Sequence, residues 1–225
     1  MLTVTAILDQ YAWLNSPLPI APDIWDHQIP VNGAYAAIKR VAGIDYVMFR
    51  GSCTFMDWVE DFADAAIPYN DPLLGPVHPG ARTAVLEIKD PIDDLVGEHV
   101  VFVGHSLGAL HAGIAAGYRV KAGKPVDGLV LFGEPRPGGP ELSAILKNIP
   151  IQSYRNADGN GHDRVTDVPF PIPNIAQYDH LREPLIDCCR SPAALDPWGF
   201  FRYHHLKLYS LAFGCGGPAV LSLTL

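Results

Sequence analysis

The sequence predicts an α/β chain: a mostly parallel central sheet with helices on both of its faces. Three observations predict it. Short apolar runs alternate with segments whose apolar residues recur at helical spacing. The runs are apolar throughout rather than alternating in and out, as in strands covered on both sides. Proline and glycine, 21 of each, are spread along 225 residues instead of marking one linker. One domain over 1–225 is therefore expected, with no internal repeat.

Taken in order, Val31–Ala42 is expected to be helical, with Ala at four of its twelve positions. Ile44–Phe49 (IDYVMF) is a buried strand. Ala81–Val96 carries Val85, Ile88, Ile92 and Leu95 at helical spacing, with a kink expected at Pro91. Val100–Val103 is a second strand and Leu107–Val120 a helix rich in Ala and Gly. Leu129–Phe132 is a third strand, Pro140–Lys147 a short helix and Ile149–Tyr154 a fourth strand. Asn156–Phe201 is expected to be mostly loop, a length that in a compact domain points to function.

Composition excludes several classes. Sixteen Lys and Arg against 24 Asp and Glu leave a formal charge of −8. An acidic chain without a basic cluster does not bind nucleic acid, which requires counterion displacement. Nor is it drawn to anionic lipid, so any interfacial lipid contact would be apolar. No apolar run approaches the length of a membrane span. Met1–Leu14 lacks the basic start and apolar middle of a signal peptide, so a cytoplasmic location is expected, export through a removed leader being the alternative. Cys53, Cys188, Cys189 and Cys215 are too few and too irregular for a disulfide framework or zinc site. Partly buried thiols are expected, with a link from Cys188 or Cys189 to Cys215 as the alternative.

The chemistry enters at Gly104-His105-Ser106-Leu107-Gly108, a G-x-S-x-G motif. A buried strand runs directly into it and a small-residue helix follows. This is the strand–turn–helix setting of a nucleophile elbow in the α/β-hydrolase fold, where a strained turn presents Ser Oγ above the sheet. Ser106 is the candidate nucleophile. The helix N-terminus aims backbone N–H groups at a developing oxyanion, and the N–H of Leu107 is the first donor. The bland alternative is a plain glycine-rich turn.

Four further segments, in order, resemble the class 3 lipases, the fungal-type triacylglycerol lipases and their bacterial relatives. Phe49-Arg50-Gly51-Ser52 followed by Asp57-Trp58-Val59-Glu60-Asp61-Phe62 is similar to the family's F-R-G-[ST] … D-W … D-[LF] block. Val77-His78-Pro79-Gly80 resembles its V-H-x-G turn. Phe132-Gly133-Glu134-Pro135-Arg136-Pro137-Gly138 resembles its F-G-x-P-R-x-G loop. Asn160-Gly161-His162-Asp163-Arg164-Val165-Thr166 resembles the N-G-x-D-x-V-[PT] segment that carries the catalytic acid.

A serine needs a base and an orienting carboxylate, in α/β-hydrolases in the chain order Ser, acid, His. Asp158, Asp163 and Asp167 follow the fourth strand. The family spacing selects Asp163, with Asp167 second. His180, His204 and His205 remain as bases. The resemblance makes His180 structural, and His204 with Leu206 and Tyr209 matches the bacterial pattern of His, aliphatic and Tyr. His205 is the close alternative, fitting the fungal spacing. By the same resemblance Ser52 supplies the second oxyanion donor.

Thr54–Phe62, with Phe55, Met56, Trp58 and Phe62, is either a lid or a fixed packing helix. Val168–Ile172 and Trp198–Phe201, including Val168 and Phe200, either wall an acyl pocket or belong to the core. The expected function is a serine carboxylic ester hydrolase, lipase or esterase, acting on a small-molecule or lipid ester through an acyl-enzyme. No metal and no organic cofactor are implied. The competing readings are acyl transfer through the same intermediate, and a binding module that keeps the fold without the chemistry.

Overall fold

The computed structural model describes residues 24–31, 34–51, 67–158, 161–169, 177–188, 203–204 and 209. In chain order the strands are β1 (His27–Val31), β2 (Ala34–Val41), β3 (Ile44–Phe49), β4 (Tyr69–Asp71), β5 (Gly75–Val77), β6 (Val100–His105), β7 (Gly128–Phe132), β8 (Ile151–Asp158), β9 (Gly161–His162) and β10 (Ile186–Cys188). The helices are α1 (Pro79–Leu95), α2 (Leu107–Lys121) and α3 (Pro140–Ile145), with a 3-10 turn at Arg164–Asp167.

The main sheet runs β1-β2-β3-β6-β7-β8-β10, with β9 folded back on the end of β8 and β4–β5 a separate hairpin. From β3 to β10 all neighbours in this order are parallel, and β1 and β2 add an antiparallel edge. Every residue of β3, β6 and β7 is buried. Successive side chains of a strand point to opposite faces, and here they feed two separate cores. Ala36, Ile38, Val47, Phe49, Phe102, Leu129 and Leu131 pack with α1 and α2 on one face. Ala37, Tyr46, Met48, Val101, Val103, Val130 and Phe132 pack with Trp25, Tyr154 and Tyr209 on the other. Burying each large side chain in such a core contributes about 1.5–3 kcal/mol.

Helix α1 begins where His78 accepts the Ala81 N–H at 3.2 Å and Pro79 takes the first helical position, whose N–H has no partner to lose. Its buried face is Ala81, Ala84, Val85, Ile88 and Ile92, close to the expected stripe, and Pro91 lies within it. Helix α2 is buried from Leu107 to Arg119, so its alanines and glycines let it lie against the sheet.

One expectation is overturned. The described part of Val31–Ala42 is not helical: Ala34–Val41 is strand β2, between β1 and β3. Its alanines read as helix formers, but Ala34, Ala36 and Ile38 face one core and Tyr35, Ala37 and Val41 the other. That is a period of two in a strand covered on both sides, where small side chains suit close packing. Ala42 and Gly43, with φ of 51° and 81°, turn the chain into β3, the all-positive geometry of a two-residue hairpin. The fourth strand also runs later than expected, to Asp158. Among the described residues of the expected long loop, β9, the 3-10 turn and β10 are ordered structure.

Parallel pairing fixes the site. In register, Phe49 lies beside Gly104, Gly104 beside Leu131 and Leu131 beside Ser153. Two residues further along their chains, Gly51, Ser106 and Gly133 emerge together at the carboxyl edge, where open α/β sheets place their ligands.

Candidate active site

Ser106 connects β6 to α2 with φ 58° and ψ −129°. For a residue with a side chain this conformation is strained, costing on the order of 1–3 kcal/mol, and persists only where the surroundings impose it. They do. A Cβ on Gly104 would lie 2.2 Å from the Gly108 carbonyl oxygen and 2.5 Å from the Ala109 nitrogen, so the strand and helix backbones touch. The Ser106 N–H donates to the Phe132 carbonyl at 3.0 Å. On the other side, a Cβ on Gly51 would sit 2.8 Å from the His105 carbonyl oxygen and 3.5 Å from Ser106 Cβ. Ser106 is 4 % exposed, and Leu107 opens α2, a position whose N–H has no acceptor within an α-helix.

Asp163 follows β9 and is fully buried, at 0 % exposure. Three donors hold its carboxylate. The Val165 N–H reaches Oδ1 at 3.0 Å, while His204 Nδ1 at 2.8 Å and the Tyr209 hydroxyl at 2.6 Å meet at Oδ2. Burial pushes this carboxyl upward, but His204 beside it, the hydrogen bonds and the nearby His105 outweigh that and hold it below the ordinary carboxylate value. Asp163 is therefore ionised at neutral pH, and the bond to His204 is charge-assisted. His204 is 7 % exposed.

The surroundings define the pair's position. Gly133 has φ 53°, and a Cβ there would fall 2.7 Å from Asp163 Oδ2 and 2.9 Å from His204 Nδ1. The loop after β7 thus presses its backbone against the Asp–His pair. Tyr209 accepts the Asn156 N–H at 3.1 Å, and Asn156 Nδ2 donates to the Tyr203 carbonyl at 3.2 Å, tying Tyr203 and Tyr209 to β8. Arg136 donates to the Asp167 carbonyl and, at 3.1 Å, to the Pro169 carbonyl, clamping the segment after Asp163.

The other candidates are placed as follows. Asp167 faces His162, at 3.0 and 3.1 Å, not His204. His180 is buried, with a pKa lowered to about 4, first by that burial and then by Arg136 and Arg155. It is therefore neutral, in keeping with a packing role. Val168 is buried and its carbonyl accepts the Arg136 N–H at 2.8 Å. Ser52, Phe55, Met56, Trp58, Phe200 and His205 lie outside the described residues. A cavity of about 320 Å³ opens between α1 and α2, with Leu86, Ile92, Phe102 and Tyr118 among its walls. Those walls include none of Ser106, Asp163 and His204, so it is not the site of this chemistry.

Residue spacing did not single out Gly133, Asn156 or His105, and Tyr209 entered only as part of a pattern. Positive φ at Gly133 and two-sided bonding by Tyr209 exist only in three dimensions.

Glu134, next to Gly133, is a second buried carboxyl. Burial pushes it from the ordinary 4.5 to about 8, although the Ser153 hydroxyl donates to it at 2.5 Å. It stays protonated in the fold at pH 7. The unfolded chain binds fewer protons than the fold between about 4.5 and about 8. The stability from this neutral acid is complete below that window and is lost as pH rises through it. Glu134→Gln is expected to melt higher than the parent at pH 8–9, with the difference shrinking towards pH 5. Thermal melts of both proteins across that range test this, and parallel curves would refute it.

A strained serine at the carboxyl edge of a parallel sheet, followed in the chain by a buried Asp–His pair, defines the serine hydrolases of the α/β-hydrolase fold. The family model "Lipase (class 3)" matches residues 46–172, more than half of the chain. The chain belongs to the class 3 lipase family, an ester-hydrolase family.

Among solved structures it is similar to a Rhizomucor miehei lipase in a propeptide complex, at 22 % identity and TM-score 0.57, covering 73 % of this chain and 63 % of that one. It is similar to lipase II from Rhizopus niveus, at 19 % and 0.61, covering 82 % and 80 %. A mono- and diacylglycerol lipase from Aspergillus oryzae aligns at 28 % and 0.50, covering 66 % and 55 %. The chain thus spans less than two thirds of the first and third of these. No curated protein matches it in sequence.

Proposed function

We propose that this protein hydrolyses carboxylic esters of lipids, acylglycerols above all, through an acyl-enzyme on Ser106. His204 is the base and Asp163 its orienting carboxylate. The observation that carries this reading is the 2.8 Å bond from His204 Nδ1 to a fully buried, ionised Asp163. That bond commits Nδ1 as the donor, so Nε2 is the basic nitrogen.

Nε2 takes the Ser106 proton as Oγ attacks the ester carbonyl. The oxyanion is met by the Leu107 N–H and, from the chain after Gly51, by Ser52. His204 then gives the proton to the departing alcohol, and the C–O bond breaks to leave the acyl-serine. Water, deprotonated by the same nitrogen, attacks the acyl carbon. Collapse returns Ser106 and releases the carboxylic acid. Each charged step takes place beside fixed dipoles, which lowers the barrier more than mobile water does.

Lipid rather than water-soluble ester is favoured by the family and by the lipases it resembles. It is also favoured by apolar exposure: Ile67, Tyr69 and Leu73 are 68, 47 and 52 % exposed within seven residues. Three large apolar side chains so close together suit contact with a lipid interface.

A fluorophosphonate probe tests the mechanism without knowledge of the substrate. The label is expected on the peptide containing Ser106, at one per chain, with loss of turnover on p-nitrophenyl esters from acetate to palmitate. Ester turnover persisting in protein fully labelled elsewhere would overturn the assignment.

A further inference from the structure

The side chain that precedes the nucleophile touches the base. His105 ends β6 and points to the same face as Val103 and Val101, two and four residues back. There its ring stacks on that of His204, with centroids 4.6 Å apart and planes 24° from parallel. Its Nε2 lies 2.9 Å from the His204 carbonyl oxygen. A carbonyl only accepts, so Nε2 carries the hydrogen and donates it. The Tyr209 ring meets His105 edge-on at 5.7 Å. One buried side chain, covalently next to Ser106, thus holds both the backbone and the ring of a residue 99 positions away.

Resting on the reading above, we infer that His105 is a positioning residue, which fixes the reach of His204 to Ser106 by gripping the carbonyl and ring of the base. The need for such a grip is physical. Asp163 and the Gly133 backbone bound the Nδ1 side of the imidazole, but one hydrogen bond there still lets the ring tilt about Nδ1. A second contact on the ring face and a third on its own backbone remove that freedom. Displacement of a catalytic group by about 1 Å costs on the order of a hundredfold in rate. Nothing in this role requires His105 to exchange a proton with the substrate.

The two contacts are separable by substitution. His105→Phe keeps a ring for stacking and loses the donor. His105→Gln loses the ring and keeps an N–H at a similar reach. The expected result for His105→Phe is a fall in kcat of about 10- to 100-fold with KM within about twofold of the parent. His105→Gln is expected to recover most of that loss. Both should melt within a few degrees of the parent, and both should still take the fluorophosphonate label, His105→Phe more slowly.

Parental kcat in His105→Phe would overturn the inference. So would a loss of melting temperature, kcat and KM together in both variants, which marks a merely structural residue. Failure of His105→Gln to exceed His105→Phe would overturn it as well. A parent protein that takes no label at Ser106 would instead overturn the proposed function.

Discussion

Ser106→Ala is expected to lower kcat by about 10⁴- to 10⁶-fold while KM stays near the parental value. Alanine keeps the Cβ and the same backbone, so the elbow imposed by the Gly104–Gly108 contact survives. The Asp163–His204 bond does not involve the hydroxyl and also survives. Substrate still docks, and the remaining donors still polarise its carbonyl, so a residue of catalysis over water is expected. Steady-state kinetics on a soluble ester, with titration of active sites in the parent, measures the ratio. Full activity in the variant would remove Ser106 from the mechanism.

Asp163→Asn is expected to cost about 10³- to 10⁴-fold in kcat with little change in KM. The reason lies in the three donors around the carboxylate. If the amide oxygen of the asparagine meets the Val165 N–H, its NH₂ faces His204 Nδ1 and the Tyr209 hydroxyl, both of which donate to Asp163. His204 must then take the tautomer with hydrogen on Nε2, which cannot accept the serine proton. If the amide turns round, its NH₂ meets the Val165 N–H, and a buried donor without an acceptor costs about 1–3 kcal/mol. Either orientation loses.

The same site sets the acid limit. The folded pKa of Asp163 lies below its unfolded value, so its contribution to stability is present above the unfolded value and is lost as pH falls through the folded one. Thermal melts of parent and variant from neutral to acid pH check this, and kcat of the variant at neutral pH checks the tautomer. A variant within tenfold of the parent would show that Asp163 does not set the tautomer.

Which parts were legible in the sequence follows from how many neighbours each part needs. β3, β6 and β7 stood out because strands buried on both faces are written as unbroken apolar runs. The elbow stood out because its two glycines answer a local steric demand. Asp163 and His204 were reached through family spacing, and the fold holds them 2.8 Å apart. β2 was misread because alanine suits a helix and a doubly covered strand alike, and only pairing with β1 and β3 decides between them. β10 (Ile186–Cys188) is too short and polar to announce itself, and exists because β8 offers an edge. Chain order keeps His105 from being the base, since it precedes the acid. That rule concerns the base and says nothing about what grips the base.

The burial of Asp163 also separates two kinds of electrostatics in this enzyme. Dissolved ions crowd around charges they can approach, within a Debye length of about 8 Å at physiological strength. A carboxylate sealed from solvent and ringed by its own donors is out of their reach, so the Asp163–His204 bond sits in a field that added salt barely alters. The −8 carried by the chain as a whole has no such shelter. Salinity therefore bears on how this protein meets charged surroundings, and hardly at all on the buried Asp163–His204 pair.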